Sequence, residues 1–130
     1  ASVKLRIRDH SVRLRLMQGE VTSLRDQGLV AATTCFPGGH ELHYVLESSP
    51  ACVKPGAFLS GTTITVRLPE TMVRAWADTA QVSIEDELLL EDGERLSILV
   101  EKDFACLAPR ESEDESDMYP HPGAEQGSTC

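Results

Sequence analysis

Aromatic residues make up only 5% of the chain, and its four cysteines, Cys35, Cys52, Cys106 and Cys130, lie 17, 54 and 24 positions apart. The first shortage leaves a core to be built from aliphatic side chains. The second excludes a C-x-x-C zinc or redox motif. With no secretory apolar region ahead of the cysteines, it points to reduced thiols and a cytoplasmic protein. Uncharged apolar runs are only a few residues long, whereas a membrane helix needs about 20, so no membrane association is expected. A phosphate-cradling loop is also missing: Gly38-Gly39 precedes neither Lys-Ser nor Lys-Thr and opens no helix.

What is present suits one globular domain. The chain has 130 residues, 41% hydrophobic and 25% charged, with a formal net charge of −9. A domain of this size buries roughly two-thirds of its unfolded surface, enough to fold without metal or disulfides. The net charge argues against non-specific coating of nucleic acid. Its distribution is uneven, however: residues 1–54 hold seven basic and five acidic groups, 55–110 five and ten, and 111–130 none and six. Residues 1–110 are therefore read as the globular domain and 111–130 as a flexible acidic tail.

Alternation in Val3–Arg8 and Val12–Leu16 predicts a hairpin, with Leu5, Ile7, Val12, Leu14 and Leu16 inward and Lys4, Arg6, Arg8, Arg13 and Arg15 on the opposite face. A short helix is expected over Gln18–Gln27, capped by Gly28. Strands at Leu29–Phe36 and Glu41–Leu46 flank Pro37-Gly38-Gly39, and residues 48–56 read as a connector. Strands follow at Ala57–Ser60 and Thr63–Leu68. A helix then opens with Pro69 at its first position and an apolar stripe of Met72, Val73 and Trp76. Val82–Leu90 and Leu96–Val100 flank the hairpin signal Asp92-Gly93.

Both halves thus read strand, strand, helix, strand, strand. At an offset of 52, Arg15 meets Arg67, Leu16 Leu68, Val21 Val73, Asp26 Asp78 and Val30 Val82; at 54, reached by two extra residues in the last hairpin, Gly39 meets Gly93, Leu42 Leu96 and Glu47 Glu101. Duplicated units spanning 3–47 and 57–101 would pack about a pseudo-twofold axis. The expected fold is α+β and mainly β: an eight-stranded barrel or sandwich with two short helices.

The stretch Ile64-Thr65-Val66-Arg67-Leu68-Pro69-Glu70 followed by Leu90-Glu91-Asp92-Gly93 resembles the swapped-hairpin units of AbrB-type regulators and MazE-type antitoxins, which bind DNA as dimers. The resemblance implies that this chain is a fused pair of such units, although their glycine-rich, basic lead-in is not matched. Residues 3–122 also resemble an uncharacterised bacterial domain-of-unknown-function family, family 7009. That resemblance rests on Lys4-Leu5-Arg6-Ile7-Arg8, Phe36-Pro37-Gly38-Gly39, Ala75-Trp76-Ala77-Asp78, Val100–Leu107 and Pro120-His121-Pro122. It implies a bacterial, cytoplasmic protein and supplies no activity.

No catalytic residue is assigned and no cofactor is implied. Cys106 and His121, with the surrounding carboxylates, are candidate metal donors whose spacing anchors no site, and Cys106 reads more simply as a buried strand residue. His40 and His43 fall on opposite faces of a strand and cannot converge. The suggestive surface is basic: Lys4, Arg6, Arg8, Arg13 and Arg15, with Arg67 as a counterpart in the second half, form the candidate anion-binding set. Like charges across a hairpin need neutralising, by an external anion or by residues 111–117 and Glu85-Asp86-Glu87, with the internal partners favoured. The leading expectation is a non-enzymatic binding or regulatory module whose basic strand face meets an anionic ligand or protein and is masked by the tail. The alternative is an enzyme of phosphorylated substrates, or a metalloprotein. Its site would be Arg15, Arg67, Glu47 and Glu101 converging near the axis, or Cys106 with His121.

Overall fold

The computed structural model describes residues 3–104. Strands β1 (Lys4–Arg8) and β2 (Ser11–Leu16) pair antiparallel about Asp9-His10. Their alternation buries Val12, Leu14 and Leu16 and turns Arg13 and Arg15 to the other face. In helix α1 (Gln18–Gln27) the Glu20 carboxylate accepts the Met17 N–H at 2.8 Å, which satisfies a donor at the helix start. The helix stops at Gly28, whose φ of 78° suits a residue without Cβ and whose N–H returns to the Leu24 carbonyl at 3.0 Å. Strands β3 (Leu29–Phe36), β4 (His40–Ser49), β5 (Gly56–Ser60) and β6 (Thr63–Pro69) precede helix α2 (Glu70–Ala77). Strands β7 (Ser83–Leu89) and β8 (Arg95–Lys102) follow it.

These elements form two four-stranded mixed sheets, ordered β1-β2-β8-β7 and β3-β4-β6-β5. In each, two antiparallel hairpins meet along a parallel seam. Ser11 to Leu16 run beside Ser97 to Lys102 in the first sheet, and His43 to Ser49 beside Thr63 to Pro69 in the second. Each sheet therefore takes one hairpin from the first half of the chain and one from the second. A single core joins them: Leu14, Leu16, Ile98 and Val100 of the first sheet, Leu46, Val66 and Leu68 of the second, Leu24 of α1, and Val73 and Trp76 of α2. The shortage of aromatics makes Trp76 the largest fully buried side chain, and its Nε1–H donates to the Val82 carbonyl at 2.9 Å.

Several expectations are corrected. No barrel closes among the described residues, because each sheet keeps two unpaired edges, β1 and β7 in one and β3 and β5 in the other. Lys4-Arg6-Arg8 and Glu85-Asp86-Glu87 put charges of one sign along each of the first two edges, which opposes pairing of either edge with a like strand. The two extra residues of the second half are not in its hairpin. Phe36 pairs with His40 and the Leu90 N–H reaches the Glu94 carbonyl, so both turns enclose equal lengths. Pro69 is the N-cap of α2 and still pairs with Ser49, since its φ of −60° and ψ of 134° continue the strand. Met72 is 38% exposed and outside the core, and Ile7 faces inward yet remains 55% exposed on an edge strand.

The two helices are clamped by Arg25. Its guanidinium donates to Asp26 Oδ1 at 2.8 Å and to Asp78 Oδ1 at 3.0 Å, joining α1 to the C-terminal end of α2. The hydrogen bond from Arg25 holds the Asp26 carboxyl below its ordinary value, against a smaller opposing effect of desolvation. A lowered folded-state pKa contributes stability above the unfolded value and loses it as pH falls through the folded one. Arg25→Met should return the Asp26 titration, followed by carboxyl NMR shifts, to the ordinary carboxylate range; an unmoved curve would show that the clamp is not the cause. Trp76→Ala should destabilise by about 3–5 kcal/mol in urea titration, the usual cost of emptying a large core site.

Candidate functional site: the outer face of the first sheet

The side chains turned away from the core form register rows. Reading across β1, β2, β8 and β7, one row is Lys4, Arg15, Glu101 and Ser83; the next is Arg6, Arg13, Leu99 and Glu85; the third is Arg8, Ser11, Ser97 and Glu87. Basic residues thus occupy one half of the face and acidic residues the far strand. The placement follows from period-two alternation in β1 and β2 combined with the parallel seam that brings β8 beside β2.

Glu101 neutralises the centre of the basic half. Its carboxylate accepts from Arg13 Nε at 2.7 Å and from Arg15 Nε at 2.9 Å, and the three side chains keep only 14–19% of their surface exposed. Lys4 Nζ donates to Asp103 at 2.7 Å. Among the described residues the carboxylates paired with this set are Glu101 and Asp103, and the expected partners 111–117 lie outside those residues. Glu87 pairs with Arg95, and Glu85 and Asp86 make no ion pair with the basic set among the described residues. The sequence reading places Glu101 with Arg15 only in the alternative site near an axis and omits Asp103, because the parallel pairing of β8 with β2 leaves no local pattern. The available signal was that Glu101 continues the outward alternation of the last strand. Arg8, exposed at the end of β1, has no ion pair among the described residues.

The six predicted anion-binding residues divide: Lys4, Arg6, Arg8, Arg13 and Arg15 share this face, whereas Arg67 lies on the outer face of the second sheet. There it is ion-paired with Glu47 and stacked over the Phe58 ring at 4.8 Å. It lines a cleft of about 570 Å³ together with Glu47, Ser49, Cys52, Lys54 and Phe58. Arg15, Arg67, Glu47 and Glu101 thus form two ion pairs on different sheets rather than one site on an axis, because all four occupy outward positions of their strands. His43 points outward beside Thr33, 2.9 Å from its hydroxyl, while His40 takes the opposite face. Cys106, His121 and the acidic tail lie outside the described residues. Among the described residues no group of His, Cys, Asp and Glu could hold a metal ion, and no helix is long and apolar enough to cross a membrane.

Glu101→Ala would leave two half-buried guanidiniums sharing no carboxylate. It should destabilise by about 1–3 kcal/mol in chemical denaturation, the cost of losing charge-assisted hydrogen bonds between partly desolvated groups. A change below about 0.3 kcal/mol would mean that solvent replaces the carboxylate freely.

No curated protein and no solved structure matches the chain. A family model does, over residues 3–123, and the chain accordingly belongs to DUF7009, a family of unknown function.

Proposed function

We propose that this member of the family is a non-enzymatic binding module. On this reading the basic half of its first sheet's outer face receives an anionic partner, and the acidic tail competes for the same surface. The observation that carries the reading is the clustering of Lys4, Arg6, Arg8, Arg13 and Arg15 on two adjacent strands with Glu101 and Asp103 as their carboxylate partners among the described residues. Arg8, exposed at the far end of β1, makes no ion pair among the described residues. A chelating guanidinium pair suits phosphate, sulfate or carboxylate groups.

Reach supports the masking. The Asp103 N–H donates to the Leu16 carbonyl at 2.9 Å and its side chain holds Lys4, so the chain leaves the sheet beside the basic rows. The seven residues from Phe104 to Arg110 can span roughly 25 Å, and Lys4 to Arg8 is only about 14 Å along the strand. A tethered acidic segment enjoys a high effective concentration over such a distance.

The reading extends to architecture: two copies of a strand-strand-helix-strand-strand unit related by a pseudo-twofold axis. The strand orders support it, since exchanging β1β2 with β5β6 and β3β4 with β7β8 carries one sheet onto the other. So do the facing pairs Arg15 with Glu101 and Arg67 with Glu47.

Removing residues 111–130 should lengthen retention on a heparin column at low salt, and adding Arg6→Glu with Arg8→Glu to that truncated chain should abolish the gain. Unchanged retention after truncation would discard the masking. Binding must weaken steeply as salt rises, and a flat response would exclude a polyanionic partner.

A further inference from the structure

Three of the four sheet edges are guarded against pairing with another strand. Strand β1 carries Lys4, Arg6 and Arg8, β7 carries Glu85, Asp86 and Glu87, and β5 is only five residues long and follows Pro55. Strand β3 is different. Its eight residues, Leu-Val-Ala-Ala-Thr-Thr-Cys-Phe, hold no charge, no proline and no glycine, and they are rich in side chains that favour extended pairing.

Its open side can be identified. The Ser48 N–H donates to the Gly28 carbonyl at 2.9 Å, and Leu29 to Phe36 then run opposite Glu47 to His40. In an antiparallel ladder bonded and non-bonded pairs alternate, so Val30, Ala32 and Thr34 direct their N–H and C=O groups to β4. Leu29, Ala31, Thr33 and Cys35 direct theirs away from the sheet. None of those four residues makes another backbone hydrogen bond among the described residues.

We infer that β3 is a homodimer contact, pairing antiparallel with β3 of a second copy about a twofold axis at Ala32. The register selects this occupant. A strand whose outward groups sit at 29, 31, 33 and 35 satisfies all of them against itself by pairing Leu29 with Cys35 and Ala31 with Thr33, leaving Ala32 opposite Ala32. Charge leaves this edge available: β3 carries no charged side chain, so two copies meet there without like charges facing each other. Because a twofold contact uses the β3 edge of both copies, it closes as a pair and does not propagate into a filament. The pairing would join two copies of the second sheet into eight continuous strands and cover Leu29, which is 48% exposed in the single chain.

Sedimentation equilibrium of the full chain should give twice the 14.2 kDa chain mass at micromolar to hundred-micromolar concentration. Ala31→Pro removes an outward N–H and no internal bond, and Thr33→Lys adds a guarding charge. Each should raise the dissociation constant by about tenfold or more while leaving the circular dichroism unchanged. If Ala31→Pro fails to fold, Thr33→Lys decides alone. With all native cysteines changed to Ser, Ala32→Cys should form a disulfide-linked dimer on mild oxidation, since Cα atoms in a directly opposed non-bonded pair lie about 4.5 Å apart. A wild-type chain that stays monomeric at about 100 μM, a dimer indifferent to Thr33→Lys, or a dimeric Ala32→Cys variant that does not cross-link would each overturn the proposal.

Discussion

The long-range strand pairing among the described residues runs through two parallel seams, β2 against β8 and β4 against β6. Parallel strands cannot be joined by a tight turn, so each seam brings together segments far apart in the chain, as when Leu14 lies beside Val100. The consequence is an interleaved fold in which each sheet combines hairpins from both halves. Leu16, Leu24, Leu46, Leu68, Val73, Trp76 and Val100 then meet in one core that neither half supplies alone. In a chain so poor in aromatics, this sharing lets small aliphatic side chains accumulate enough buried surface.

The seams also organise the charges. Lys4, Arg6, Arg13 and Arg15 would repel one another across the first hairpin if it stood alone. Placing β8 beside β2 brings Glu101 between Arg13 and Arg15, and the chain's departure at Asp103 supplies Lys4. The corresponding seam in the second sheet makes a single Arg67–Glu47 pair, packed over Phe58 and bordered by the connector that links the two halves. The surfaces consequently differ in chemistry: the first is an array of paired cations graded toward acid, the second a cleft with one guanidinium.

Much of the local structure was legible in the residues. Alternation placed β1, β2 and the faces of Leu14 and Arg15, and turn residues set off the other six strands. Gly28 marked the end of α1, and Asp92-Gly93 marked the last turn. Met72 misled because a three-residue apolar cluster on an eight-residue helix does not say which part of it meets the core. Ile7 kept the right face and the wrong exposure because alternation carries no information about where a sheet ends. The basic patch was legible for its first five members, which are close in sequence, and not for Arg67, whose sheet is fixed by pairing partners remote from it.

The sequence by itself determined which segments extend, which coil, where they turn and which side of each strand is greasy, because those properties follow from the period of the backbone and the chemistry of nearest neighbours. Only the tertiary structure decided which hairpin lies beside which, and hence that Glu101 neutralises Arg13 and Arg15, that Asp103 holds Lys4, and that β3 is left an open, uncharged edge. Pairing across a seam is a choice among strands of equal local quality. It is settled by how the apolar faces of all eight strands and two helices can be buried at once.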